Sequence, residues 1–184
     1  ILERANFILK KEHMFDIIKT KNAGGAAVGR VIFHVDVNSA FLSWEAVYRL
    51  YHLGGKVDLR TQVAAVGGDM AMRHGIILAK SIPAKKYHIQ TGETILEAKQ
   101  KCPDLLLVPP NYSLYEQCSK AFMEVLLQYS PDVEQYSVDE AFIDMSGTDK
   151  LWGDPVTAAN RIRSQIKEEL GFTVNIGVSE NKLL

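Results

Sequence analysis

The sequence predicts an α+β fold of the split βαβ (ferredoxin-like) type, with a small lobe inserted after its first strand. Three observations predict it. Two runs of β-forming residues each end in acid: Val31-Ile32-Phe33-His34-Val35 before Asp36, and Val133 to Val138 before Asp139-Glu140. From residue 104 onward the pattern reads strand, helix, two strands, helix, strand. The 184 residues are 47% apolar, enough for a core in one large domain or two small ones, with no repeats or low-complexity tracts.

The elements follow in order. Phe7, Ile8, Met14, Phe15, Ile17 and Ile18 suit short amphipathic helices within residues 1–20. Asn22-Ala23-Gly24-Gly25-Ala26-Ala27 reads as a linker, so residues 1–29 form an extension and the domain begins at Arg30. Val31–Val37 is a buried strand. Ser39 is placed to N-cap a helix from Ala40 to Tyr51, closed by Gly54-Gly55. Val63–Val66 and Ile76–Ala79 are strands. Thr94 opens a helix to Lys101, ended by Pro103, and Leu105–Val108 is a short strand. Tyr112 to Gln128 is a long helix with Tyr115, Cys118, Phe122, Val125 and Leu126 on one stripe. Val133–Val138 and Ala141–Met145 form a hairpin with Asp139-Glu140 at its bend. Pro155 to Leu170 is a helix with proline in its first turn, and Thr173–Val178 is the last strand. Residues 30–40 and 111–184 are thus one domain, and 41–110 the inserted lobe.

The formal net charge of −1 excludes a uniformly basic nucleic-acid binder. The charge is uneven, however. Residues 69–101 carry six Lys/Arg against three acids, and residues 131–149 carry six acids and no Lys/Arg. A basic stretch and an acidic one suit a site for metal and polyphosphate; two ordinary solvated surfaces would look the same. Cys102 and Cys118 lack CxxC spacing and a neighbouring His cluster, so they read as reduced thiols without zinc. No apolar run reaches spanning length and no signal-peptide pattern is present, which predicts a cytoplasmic protein with no membrane partner.

Asp36 follows a strand that is apolar at nearly every position, where a carboxylate is costly unless paired or metal-bound. A helix cap or a strand-end turn is the plainer alternative. A calcium loop starting at Asp36 fails, because Ala40, Phe41 and Val47 stand where ligands and glycine are needed. Asp139-Glu140 also fits a simple turn. Together the two segments say more. Carboxylates at the ends of adjacent strands converge, and three of them repel one another unless hard cations lie between. Paired cations serve displacement at phosphorus, so the chain reads first as a two-metal phosphoryl or nucleotidyl transferase. Phe41, five residues past Asp36, is placed either in the core or under a nucleotide sugar. Lys85 and Lys182 are candidate phosphate contacts among ordinary surface lysines.

The ordered segments resemble the Y-family (DinB/UmuC-like, DNA polymerase IV type) translesion DNA polymerases over about residues 31–184. The matching residues run from Val31 to Glu45, then Val63-Ala64-Ala65-Val66-Gly67-Gly68-Asp69 and Arg73-His74-Gly75-Ile76-Ile77. They continue through Cys102-Pro103-Asp104, Tyr112-Ser113-Leu114-Tyr115 and Tyr136 to Asp144, ending at Gly177-Val178-Ser179-Glu180-Asn181-Lys182. The resemblance implies a polymerase palm and fingers. It implies metal binding by Asp36, Asp139, Glu140 and the Val37 carbonyl, with two Mg2+ ions as cofactor and Mn2+ as substitute. It implies nucleotide contacts by Asn38, Ser39, Ala40, Phe41, Ser81, Lys85 and Lys182, with Phe41 the steric gate against ribonucleotides.

The implied partners are primed template DNA and deoxynucleoside triphosphates in damage tolerance and repair, and a sliding clamp reached through a C-terminal region beyond Leu184. A thumb and a C-terminal DNA-gripping domain are likewise expected beyond Leu184, and the 184-residue chain alone is expected to be inactive. Family members often carry Tyr and Arg where this chain has Ile82 and Lys85, and Lys lacks the bidentate contact of Arg. Two rivals stand beside this reading: another palm-fold enzyme, a nucleotidyl cyclase, and a non-enzymatic binding or scaffold module.

Overall fold

A computed structural model describes residues 29–68 and 75–182. The helices expected within residues 1–20 and the linker at 22–27 lie outside the described residues. The described elements are β1 (Ile32–Val37), α1 (Ala40–His52), β2 (Ala64–Gly67), β3 (Ile77–Lys80), α2 (Ile82–Lys85), α3 (Ile95–Lys101) and β4 (Leu106–Val108). After them come α4 (Tyr112–Leu127), β5 (Val133–Gln135), β6 (Glu140–Asp144), α5 (Asp149–Trp152), α6 (Pro155–Leu170) and β7 (Val174–Ser179). The chain divides into two compact units, one holding the described residues up to Asp36 and from Ser119 on, the other Val37–Cys118.

The first unit is built on a four-stranded sheet in the order β5-β6-β1-β7. β1 pairs antiparallel with β6, and β6 antiparallel with β5. Strand alternation divides the residues by face. Phe33 and Val35 pair with Ile143 and Ala141, and all four are fully buried. His34 and Asp36 pair with Phe142 and Glu140 on the other face, and these are half-buried. α6 packs on β7 and buries Ala158, Ile162, Ile166 and Leu170, the stripe its 3.6-residue period demands. Its start is capped by the Asp154 carboxylate, which accepts from the Val156 and Thr157 amides, and its end by Gly171 at φ 78°. Tyr129 joins the helices of this unit: its hydroxyl donates to Gln165 Oε1 (2.7 Å), and its carbonyl accepts from Trp152 Nε1 (2.9 Å).

The second unit has a three-stranded sheet in the order β3-β2-β4. β2 pairs antiparallel with β3 and parallel with β4. As the central strand it is buried on both faces, which is why it reads Ala-Ala-Val-Gly without alternation. One face packs Ala65 and Ile77 with Ile89, Ile95, Ala98 and Leu105; the other packs Ala64, Val66 and Ala79 with Leu42, Ala46 and Leu59. A Cβ at Gly75 would stand 2.6 Å from Ile95 Cδ1 and 3.0 Å from the Gly68 carbonyl oxygen, so a side chain there would have to displace Ile95 and crowd the Gly68 backbone. α3 starts on a capping box between Thr94 and Glu97.

Several expectations are corrected. Leu105–Val108, which the run of elements from residue 104 counts with the later strands and the 41–110 boundary assigns to the inserted lobe, belongs with the lobe: it pairs with β2 in the second sheet. Glu140 is not at a bend but opens β6, because β5 ends at Gln135 and the loop is Tyr136–Asp139. Ser39 stands before α1 in the left-handed region (φ 46°) and its side chain makes no cap. Ser43 instead donates its hydroxyl to the Asn38 carbonyl at 2.7 Å.

Ser81 opens a short helix, α2, where the sequence showed only loop. Its buried hydroxyl donates to the Gln62 carbonyl (2.6 Å) and accepts from the Ala84 amide (3.1 Å) and the Ala64 amide (3.2 Å). Ser81→Ala therefore leaves three backbone groups, two of them buried, short of a partner. It should cost about 1–3 kcal/mol in unfolding free energy, read as a lower urea midpoint at unchanged slope.

Candidate active site

The first unit gathers the acidic residues. Asp36, at the end of β1, is the register partner of Glu140, the first residue of β6, so both side chains leave the same face of the sheet. Asp139 precedes Glu140 in the loop, where its Oδ1 accepts from the Ser137 hydroxyl at 2.6 Å. The Asp36 carboxyl is held above the usual carboxylate range. Burial is the main cause, followed by the negative charges of Asp139 and Glu140 and a hydrogen bond shared with Glu140; the nearby His34 opposes the shift. Three hard-oxygen donors whose repulsion keeps one of them reluctant to ionise are the donor set a divalent cation accepts. Among the described residues, no three His, Cys, Asp or Glu side chains are already drawn together as a metal-holding group. Like-charge repulsion and the Ser137 bond to Asp139 act against such gathering.

The same face carries an aromatic patch. His34 stacks on Phe142 (4.7 Å, 23°), and Tyr136 meets Phe142 edge-on at 5.8 Å. Lys182 Nζ lies 5.7 Å from the Phe142 ring centre and pairs with the Glu134 carboxylate. Lys182 is thus on the open face, but its charge is already engaged.

The remaining candidates belong to the second unit. Asn38 and Ser39 form the turn before α1, and Ala40 is buried at its start. Phe41 is half-buried and stacks nearly parallel on Tyr115, at 4.5 Å and 14°, with Trp44 at 5.9 Å. Lys85 is exposed at the end of α2, and Ile82 at its start is 72% exposed, an apolar side chain offered to water. The Ser81 hydroxyl is spent on the backbone, so what it contributes is the placement of α2. Tyr115 was legible only as a member of an apolar stripe and of one matching segment, and Glu45, its hydrogen-bond partner, only as part of another. Cys118 is inert: burial pushes its thiol up to about 12.

This fold is shared with a known group of proteins. The model of the impB/mucB/samB family matches residues 35–184, and the chain belongs to this family, that of the Y-family DNA polymerases. It is 49% identical over 158 residues to a DNA polymerase IV of Clostridium acetobutylicum, covering 85% of this chain and 39% of that protein. It is 46% identical over 154 residues to a DNA polymerase IV of Acetivibrio thermocellus, covering 84% and 37%. Among solved structures it is similar to an insertion ternary complex of Dbh DNA polymerase (26% identity, TM-score 0.70, 84% of this chain and 44% of that one). It is also similar to DinB from Sulfolobus solfataricus (25% identity, TM-score 0.70, 84% and 43%). The chain therefore spans about two fifths of the curated relatives it matches, 39% and 37% of their lengths. No helix among the described residues is long and apolar enough to cross a membrane.

Proposed function

We propose that this chain supplies the palm and fingers of a template-directed DNA polymerase of the translesion type. The observation that carries the reading is the register pair Asp36–Glu140 on one sheet face, with the charge of Asp139 acting on Asp36 from the adjoining loop, in a chain of this family. Asp36, Asp139, Glu140 and the Val37 carbonyl would hold two divalent cations, Mg2+ or Mn2+. The chemistry those ions supply when bound is activation of the primer 3′-hydroxyl and neutralisation of the triphosphate. Phe41 acts as the gate that leaves no room for a 2′-hydroxyl. Lys85 and Lys182 offer point charges to the triphosphate, Lys182 after leaving Glu134. The substrates are primed, damaged template DNA and deoxynucleoside triphosphates, with a sliding clamp as recruiting partner and the cytoplasm as compartment. Joined to the downstream part of the Clostridium acetobutylicum relative, the chain should extend a primer past a damaged template base. A well-folded chimera that never extends primers sinks the proposal.

The 184-residue chain by itself should bind primed DNA weakly. DNA affinity comes mostly from neutralised phosphates, with log K falling by about 0.9 per contact per log unit of salt. With a net charge of −1 and only local Lys/Arg excesses, such as six against three acids over residues 69–101, the chain offers few such contacts. Fluorescence anisotropy with a primed duplex should show a shallow salt slope and a weak midpoint; tight binding with robust extension would mean that the grip lies within these residues.

A further inference from the structure

Glu45 takes no part in the chemistry above, yet its carboxylate is buried, with a side chain only 5% exposed. A buried carboxylate is costly unless its partners justify it. Its Oε1 accepts a hydrogen bond from the Tyr115 hydroxyl at 3.1 Å, and its Oε2 lies 3.6 Å from Arg49 Nε, one helical turn on. Tyr115, itself 2% exposed, presents its ring to Phe41, nearly parallel at 4.5 Å and 14°. Phe41 and Glu45 are four residues apart on α1 and so share one side of it. Tyr115 of α4 spans both, touching Phe41 with its ring and Glu45 with its hydroxyl.

Packing alone would be served by phenylalanine at position 115. A parallel stack resists tilting but does not stop two rings from sliding across each other. A directed hydrogen bond at the para position does, because it fixes where the Tyr115 ring ends. Trp44 at 5.7 Å and Tyr112 edge-on at 5.8 Å close its flanks.

We infer that Glu45, paired with Arg49 and acting through Tyr115, is a positioning residue for sugar discrimination: by fixing where the Tyr115 ring ends, it keeps the stacked Phe41 ring from sliding. The inference rests on the proposed role of Phe41 as the gate.

The test compares incorporation efficiency for a ribonucleotide with that for the matching deoxyribonucleotide, in the chain joined to the downstream part of the Clostridium acetobutylicum relative. Tyr115→Phe and Glu45→Ala should each raise the ribonucleotide share on the order of tenfold, the weight of one hydrogen bond to a charged acceptor. The double variant should be no worse than either single one, because both remove the same bond. Glu45→Gln keeps an acceptor and should stay within about threefold of the parent. General loosening of the fold would lower both efficiencies together and leave the ratio alone. If Glu45→Ala does not fold, Tyr115→Phe decides, since it removes one oxygen and keeps the ring. An unmoved ratio in Tyr115→Phe, with Phe41→Ala relaxed, overturns the role of Glu45 and leaves the gate standing; an unmoved ratio in Phe41→Ala overturns both.

Discussion

In the chain joined to the downstream part of the Clostridium acetobutylicum relative, replacing Asp36 by Asn is expected to abolish nucleotidyl transfer, while in the metal-free 184-residue chain it should slightly raise stability. Asn keeps the shape of the side chain but removes the charge on which cation binding depends, and loss of that electrostatic support should cost on the order of a thousandfold or more in rate. The stability effect has the opposite sign. Asp36 sits partly buried against Asp139 and Glu140, and its carboxyl is pushed up by burial first and by their charges next. Removing one of three like charges relieves that repulsion. The gain is small, at most about 1 kcal/mol, because water screens a half-exposed cluster. Single-turnover primer extension reads the first effect and urea unfolding in chelator the second. Retained activity, or a variant less stable than the parent, would show that Asp36 is a structural cap and not part of a cation site. Function here would then be maintained at no expense in stability, contrary to what strained acidic sites usually show.

Phe41→Ala carries the second large effect. The half-buried ring rests on buried Tyr115, so a Phe41 gate would be backed by a packed partner. Trimming it to a methyl should admit a 2′-hydroxyl and shift the ribonucleotide-to-deoxyribonucleotide efficiency ratio by about a hundredfold or more, since a clash rejects more strongly than a missing contact. The ratio, measured with matched nucleotides on one template, separates this from a general loss of rate. A ratio that stays where it was removes Phe41 from the gate role.

Most elements were legible because their signals are local. The apolar run before Asp36, the Pro155 start and the Thr94 start act within a few residues of themselves, and β1, α6 and α3 formed where they pointed. The misreadings involve distant partners. Leu106–Val108 looks like any short apolar strand, and only its pairing with Ala64–Val66 assigns it to the second sheet. Glu140 reads as a turn residue until Asp36 pairs with it across the sheet and draws it into β6. Ser39 has the composition of a cap, but the chain enters α1 through the left-handed region and turns its hydroxyl away from that task.

The candidate site divides the same way. Residue type and chain order by themselves marked Asp36, Asp139 and Glu140 as candidate metal-holding carboxylates, and the family resemblance added Phe41, Lys85 and Lys182 as candidates. Only the tertiary structure decided their states. It set Asp36 opposite Glu140, committed the Ser81 hydroxyl to the backbone, engaged Lys182 with Glu134, and joined Glu45 to Phe41 through Tyr115. The physical reason is range. Propensity and periodicity act over one or two turns of chain, whereas burial, like-charge repulsion and hydrogen-bond partnership depend on residues that folding brings together from far along it, as with Glu45 and Tyr115, 70 positions apart.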